Sequence, residues 1–304
     1  PAPAAQTQYF SLLMIKLLAR STHKVVPIGF APIQDYPIAK RIMFYGCSFN
    51  FNGCDCRILP FINIFPFKPV GKFLVLLRYI WRIRSGRSLL LIHGLQFQYL
   101  LFGYLSRFLK IRVGVVLTDE KGVILPSDSG LRIWLKKVDC VMSEFLLKKF
   151  NFCISLSVPL ADHYMSGRPR FVFMGAYDNS LNNGSKPIKR RVVRPSSIPI
   201  FEIVYFGGLK KEYGVEVLLD AVVKLDANFR IKFFGSGPLA DRIATASKSD
   251  PRIFWGGFVD RSELAIQIKN SDAVVNPRPS QTRLSAMSSP SKFLEFGDFG
   301  KLII

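Results

Sequence analysis

The sequence predicts an α/β protein of two domains, the second of them built on a parallel, doubly wound sheet. Three observations carry this. The chain has 304 residues, and at ~100–200 residues per domain two is the expected number. Apolar residues make up 49% and aromatic residues 13% of it, enough side-chain volume for two cores and too much for a disordered, collagen-like or disulfide-scaffold chain. From residue 201 onward, short apolar runs alternate with helical stripes, the pattern of βαβ units.

In the first half, Gly71–Arg84 reads as a basic amphipathic helix, its apolar residues bracketed by Lys72, Arg78, Arg82 and Arg84. It is either an ordinary domain helix with a solvated basic face or a helix lying on a membrane surface. Ser88–Ser106 is uncharged and near the ~20 residues needed to span a bilayer, but His93, Gly94, Gln96, Gln98 and Gly103 interrupt it. It reads as a strand (Leu89–His93), a turn at Gly94 and a helix through Leu105. Val113–Leu117 is a further apolar strand. Residues 185–200 mix five basic residues with three prolines and three serines, a linker composition.

In the second half the strands are Phe201–Phe206, Phe229–Phe234, Ile253–Trp255, Ala273–Asn276 and Leu302–Ile304. Helices are expected over Gly214–Leu225, from Leu239, from Asp260-Arg-Ser-Glu263, which reads as a capping box, and over Pro290–Phe299. The expected domains are therefore 1–184 and 201–304, joined by the basic linker 185–200. With no initiator Met and an apolar end at Lys301-Leu-Ile-Ile304, the chain reads as a fragment.

Net charge is +21, and residues 1–150 hold 21 basic against 7 acidic groups, so +14 of it lies in the first half. Such a field favours phosphate-bearing partners. Five cysteines, an odd number with Cys54 and Cys56 too close to bridge each other, suit reduced thiols and a cytoplasmic setting. No Cys/His spacing matches a zinc site and no Asp-x-Asp pair occurs, so no metal is expected.

Three glycine pairs, Gly207-Gly208, Gly235-x-Gly237 and Gly256-Gly257, each follow a strand. Glycine there lets backbone N–H groups approach an anionic ligand. Ser289-Pro290-Ser291-Lys292 has a capping residue, a proline at the first helical position and a hydroxyl and an ammonium in the first turn. That is a diphosphate site at a helix start, or equally a capped helix with solvent-facing Lys292 and Glu295.

The runs at 204–222 (VYFGGLKKEYGVEVLLDAV), 233–243, 252–264, 272–280 and 288–304 (SSPSKFLEFGDFGKLII) resemble the nucleotide-binding domain of retaining GT-B glycosyltransferases of the group 1/family 4 type, which build bacterial polysaccharides. A weaker resemblance covers 111–178. It implies two Rossmann-like doubly wound domains facing a cleft, with the first strand of domain 1 and the end of domain 2 missing from this chain. By position, Gly207 and Gly208 match the loop facing the donor diphosphate, and Gly235 and Gly237 a loop at the strand edge. Phe258 and Val259 match the nucleobase contact, Ser291 and Lys292 the diphosphate-binding helix start, and Glu295 the acid that holds the ribose diol. Three positions depart from the family pattern: Gly208 and Tyr213 stand where it has basic residues, and Met287 where it has its first acid. Lys210, Lys211 and Arg278 are the neighbouring cations able to supply that charge.

The implied reaction moves a sugar from a UDP- or GDP-linked donor to a glycan or lipid-linked acceptor, with retention, without a metal and with no cofactor beyond the donor itself. Lys292 would stabilise the leaving diphosphate. Asp119, after the strand Val113–Leu117, is either an acceptor-side catalytic group or a loop residue closing a turn. His93 either faces the cleft or is a satisfied structural residue. A lipid-linked acceptor places the protein on the inner face of the cell membrane, with Phe73, Leu77, Ile80 or Trp81 inserting into an anionic surface. Two other classes stay open. One is a non-catalytic membrane-associated subunit of the same fold. The other is a basic nucleic-acid-binding protein, which pI ≈ 10.0 allows but the dispersed charge and missing motifs oppose; no nucleic-acid partner is expected.

Overall fold

The structure, a computed structural model, describes residues 5–33, 35–37, 39–64, 67–80, 88–122, 129–173, 200–279 and 299–304. The chain divides into two compact units, Pro1–Ala176 with Ala286–Ser289 and Tyr177–Ser285 with Pro290–Ile304. Apart from Ile200, the linker 185–200 lies outside the described residues.

The first unit opens with helix α1 (Ala5–Leu18), followed by short strands β1 (Ile28–Gly29), β2 (Met43–Phe44), β3 (Cys47–Phe51), β4 (Cys54–Ile58) and β5 (Phe61–Ile62). β3 and β4 form an antiparallel hairpin, β1 lies parallel to β4 on its other side, and β2 pairs with β5. Asn52 and Gly53 both have positive φ, 49° and 80°, as a two-residue hairpin turn requires. Helix α2 (Phe67–Ile80) leads to β6 (Leu89–His93), α3 (Phe97–Ser106), β7 (Arg112–Leu117), α4 (Gly130–Leu147), β8 (Phe152–Ser155), α5 (Val158–Met165) and β9 (Arg170–Val172). β6 to β9 form one sheet in chain order, every pair parallel. β7 is buried from Val113 to Leu117, the unbroken apolar run of a strand covered on both faces. The strand–turn–helix reading of 88–106 holds. No helix among the described residues is long and apolar enough to cross a membrane.

Helix α2 is the ordinary domain helix of the two expected over 71–84, but its basic face is not all solvated. Lys72 is buried, with Nζ 4.4 Å from the Phe61 ring centre and 5.1 Å from that of Phe30. Phe73, Leu77 and Ile80 pack with Leu59, Leu76 and Phe102, so none of the three is free to enter a bilayer; Trp81 and Arg82–Arg84 lie outside the described residues. Burial, with help from the charge of Lys68, lowers the Lys72 pKa from 10.5 to about 8. Between those values the unfolded chain binds the extra proton, so stability rises with pH across that window and the burial cost is complete below pH 8. Lys72→Met is expected to stabilise the first unit by roughly 1–2 kcal/mol at pH 7, part of the burial cost being offset by the ring contacts. Thermal melts from pH 7 to 10.5 should show the wild-type rise flattened in the variant.

The second unit consists of β10 (Phe201–Gly208), α6 (Val215–Val222), β11 (Phe229–Ser236), α7 (Ala240–Ser249), β12 (Ile253–Trp255), α8 (Arg261–Asn270), β13 (Ala273–Val274) and β14 (Leu302–Ile303). Its five strands run in the order β12-β11-β10-β13-β14, all parallel. Alternation along β10 sends Ile203 and Tyr205 to the α6/α7 side, with Val215, Leu218, Leu219 and Ile243. Val204 and Phe206 go to the α8 side, with Ile268 and Phe299. This is the doubly wound sheet the alternation predicts. Asp260 caps α8, accepting from the Glu263 N–H at 2.9 Å. The capping box does not close, because the Glu263 carboxylate accepts instead from Gln267 Nε2 at 2.8 Å.

Candidate donor site at the strand-order reversal

In the second unit, β10 is followed outward by β11 and β12 on one side and by β13 and β14 on the other. Open parallel sheets bind ligands beyond the carboxyl ends of their strands at such a reversal, here between β10 and β13. Gly207, Gly208 and Gly235, which the sequence resemblance puts in loops, are instead the last paired strand positions, Gly207 opposite Gly235 and Gly208 opposite Ser236. The reason is steric. Gly235 has φ +136°, and a Cβ there would lie 1.9 Å from the Gly207 carbonyl oxygen. Glycine is what lets the two strands continue this far together.

The segment after β10 turns through Lys211–Tyr213 into Gly214, which has φ +75°. A Cβ on Gly214 would lie 1.8 Å from the Pro277 carbonyl oxygen, so the connections following β10 and β13 touch through bare backbone. That contact brings Arg278 beside the β10 turn. Its guanidinium carbon lies 4.8 Å from the Tyr213 ring centre, and Lys210 Nζ lies 6.0 Å from it. A Cβ on Gly208 would meet the same ring at 2.9 Å. Tyr213, in the position where the sequence resemblance leads one to expect a lysine, thus gathers Lys210, Arg278 and Gly208 around one ring. The Gly208 carbonyl accepts the hydroxyl of buried Tyr205 at 2.8 Å, and burial pushes that phenol's pKa up.

Lys211 points elsewhere, with Nζ 3.2 Å from Glu216 Oε2. Gly237 lies past the end of β11, packed against the Leu209 backbone. Phe258 and Val259 follow β12; the Phe258 side chain is 77% exposed, while Val259 packs against the α8-side core. Ser291, Lys292, Glu295 and Met287 lie outside the described residues.

In the first unit, Asp119 is exposed in the turn after β7. That turn is pinned nearby: the Lys121 N–H donates to the Tyr164 hydroxyl at 2.8 Å, and its Nζ lies 2.9 Å from Asp139 Oδ2. His93 ends β6 and shares a 2.7 Å hydrogen bond through Nδ1 with Ser11 Oγ of α1, its ring 5.7 Å from that of Phe10. Burial lowers its pKa while the Asp119 charge acts in the opposite direction. His93 therefore joins α1 to the sheet. Among the described residues no group of three or more His, Cys, Asp or Glu could hold a metal ion.

No protein-family model matches this chain, and no curated protein matches it by sequence. Solved structures do match. Sucrose-phosphate synthase from Thermosynechococcus elongatus superposes with a TM-score of 0.55 at 12% identity, over 89% of this chain and 68% of that one. Anabaena HepE in complex with UDP gives 0.50 at 16% identity, over 77% of this chain and 64% of its own. HepE with UDP and glucose gives 0.50 at 15%, over 83% and 67%. The chain thus spans about two thirds of the length of these proteins. Likeness at such identities speaks to fold: the protein has an α/β fold with two Rossmann-like units, of the GT-B type.

Proposed function

We propose that this protein is a glycosyltransferase that takes a sugar from a UDP- or GDP-linked donor and passes it to a glycan or lipid-linked acceptor, with retention and without a metal. The observation that carries this reading is the cation pair Lys210 and Arg278 held around Tyr213 at the β10/β13 reversal. The solved structures of like fold that hold UDP support it.

The reaction requires charge to be met where it grows, on the diphosphate leaving as the glycosidic bond breaks. Fixed cations and N–H dipoles do this without reorganising. Arg278, its guanidinium carbon 4.8 Å from the Tyr213 ring centre, brings a planar fork that matches a phosphate. Lys210 adds a second positive charge. In this reading Ser291 and Lys292 hold the diphosphate from a helix start, Glu295 takes the ribose diol, and the backbone at Phe258 and Val259 meets the base. The acceptor attacks on the departing face and gives its proton to the diphosphate, so Asp119 orients the acceptor rather than serving as an essential base.

Lys292→Ala tests the assignment. If its ammonium meets charge that grows in the transition state, kcat falls on the order of 10²-fold while KM changes far less. A rise in KM at unchanged kcat would make Lys292 a ground-state contact instead.

A further inference from the structure

Helix α4 is amphipathic the wrong way round. The residues it buries are Ser143, Leu146 and Leu147, all near its end, with Cys140 partly covered. Outward face Leu131 (70% exposed), Trp134 (59%), Leu135, Val138, Val141 (68%), Met142 and Phe145 (57%). At ~100° per residue these positions fall within about a third of the helix circumference. No polar side chain interrupts that stripe. Its rim is basic: Lys137 and Lys148 are exposed beside it, and Lys149 lies at its end with Nζ 5.3 Å from the Phe145 ring centre. Of the two carboxylates of the helix, Asp139 is paired with Lys121 Nζ at 2.9 Å, and Glu144 lies on the side of the helix that faces His163, 3.8 Å from its Nε2.

We propose that α4 docks the first unit on an anionic lipid bilayer, lying flat with its apolar stripe among the acyl chains and Lys137, Lys148 and Lys149 at the headgroups. Charge argues for this occupant over a second copy of the chain. Two stripes packed face to face would bring these lysines together on units whose first 150 residues carry +14, whereas an anionic leaflet neutralises them. A tryptophan and long aliphatic side chains on one face with lysines at its edge are the composition of an interfacial helix, and lysines there extend toward the headgroups. The site differs from the one expected on 71–84: α2 exposes only the shorter run Phe67, Val70 and Leu74.

The test is co-sedimentation of the full chain with phosphatidylglycerol/phosphatidylcholine vesicles and with phosphatidylcholine alone, read together with tryptophan emission. The chain should pellet with the anionic vesicles, and its emission should shift to the blue by an amount that Trp134→Phe removes. Trp134→Ser combined with Val138→Ser should lower the partition coefficient about tenfold or more. Lys137→Glu with Lys148→Glu should weaken binding and remove its salt dependence. The proposal is overturned by any of three results: no Trp134-dependent shift in the wild-type chain, serine-variant binding equal to wild type, or a lipid-free dimer that the serine variant splits without any vesicle binding. Vesicle binding needs no nucleotide, so its failure and a failure of UDP binding are separate results.

Discussion

Gly235→Ala is expected to destabilise the second unit by about 3–5 kcal/mol. Two costs combine. At φ +136° an L side chain is strained wherever it points, and the new Cβ would sit 1.9 Å from the Gly207 carbonyl oxygen. That oxygen belongs to a central strand, so relief requires β10 and β11 to separate at the edge where Lys210 and Tyr213 begin. Gly257→Ala is the matched control: its φ is +69° and nothing lies within 4 Å of the added Cβ, so only backbone strain of about 1–2 kcal/mol is expected. Urea unfolding of both variants measures the difference. Equal, mild effects would contradict the close approach of the two strands.

Arg278→Ala is expected to weaken UDP binding by about 1.5–3 kcal/mol, tenfold or more in Kd, the usual worth of a hydrogen bond to a charged group. The Tyr213 ring lies 4.8 Å from the guanidinium carbon, a cation–π distance, and this sets the order of related variants. Arg278→Lys keeps the charge but loses the planar fork, so it should recover only part of the affinity. Tyr213→Ala leaves the arginine in place but unguided, and should cost less than removing it. Calorimetry on the three variants gives that order. If Tyr213→Ala bound UDP more tightly than wild type, the ring would be covering the site at Gly208 rather than building it.

The second sheet was legible because its strands are short apolar runs, four of the five followed by glycine or proline, and the helices between carry stripes at helical spacing. The Asp260 cap was legible from residue type alone. The capping box was not, since Gln267 one turn on competes for the Glu263 carboxylate. The β3–β4 hairpin carries a local signal in Asn52-Gly53, whose positive φ angles suit a two-residue turn. Spacing also failed to say which way a helix faces. The stripe of α2, which in sequence suits a domain helix or a lipid face, is core, with Lys72 drawn in by Phe30 and Phe61; the stripe of α4 has ordinary core spacing and faces out. Periodicity fixes the width of an apolar face, and only the packing partners decide its direction. Tyr213 shows the same limit for the candidate site. In sequence it is a missing lysine, and only the contact of Gly214 with Pro277 brings Arg278 to its ring.

On the proposed function, the second unit binds a nucleoside diphosphate at the β10/β13 reversal. Calorimetric titration of UDP, and separately of GDP, into the full chain and into a Lys210→Ala/Arg278→Ala variant tests it most directly. The predicted result is one-site binding of at least one nucleotide to the wild-type chain, lost or at least tenfold weaker in the variant, at unchanged melting temperature. Absence of binding by both nucleotides, or undiminished binding by the variant, would contradict it.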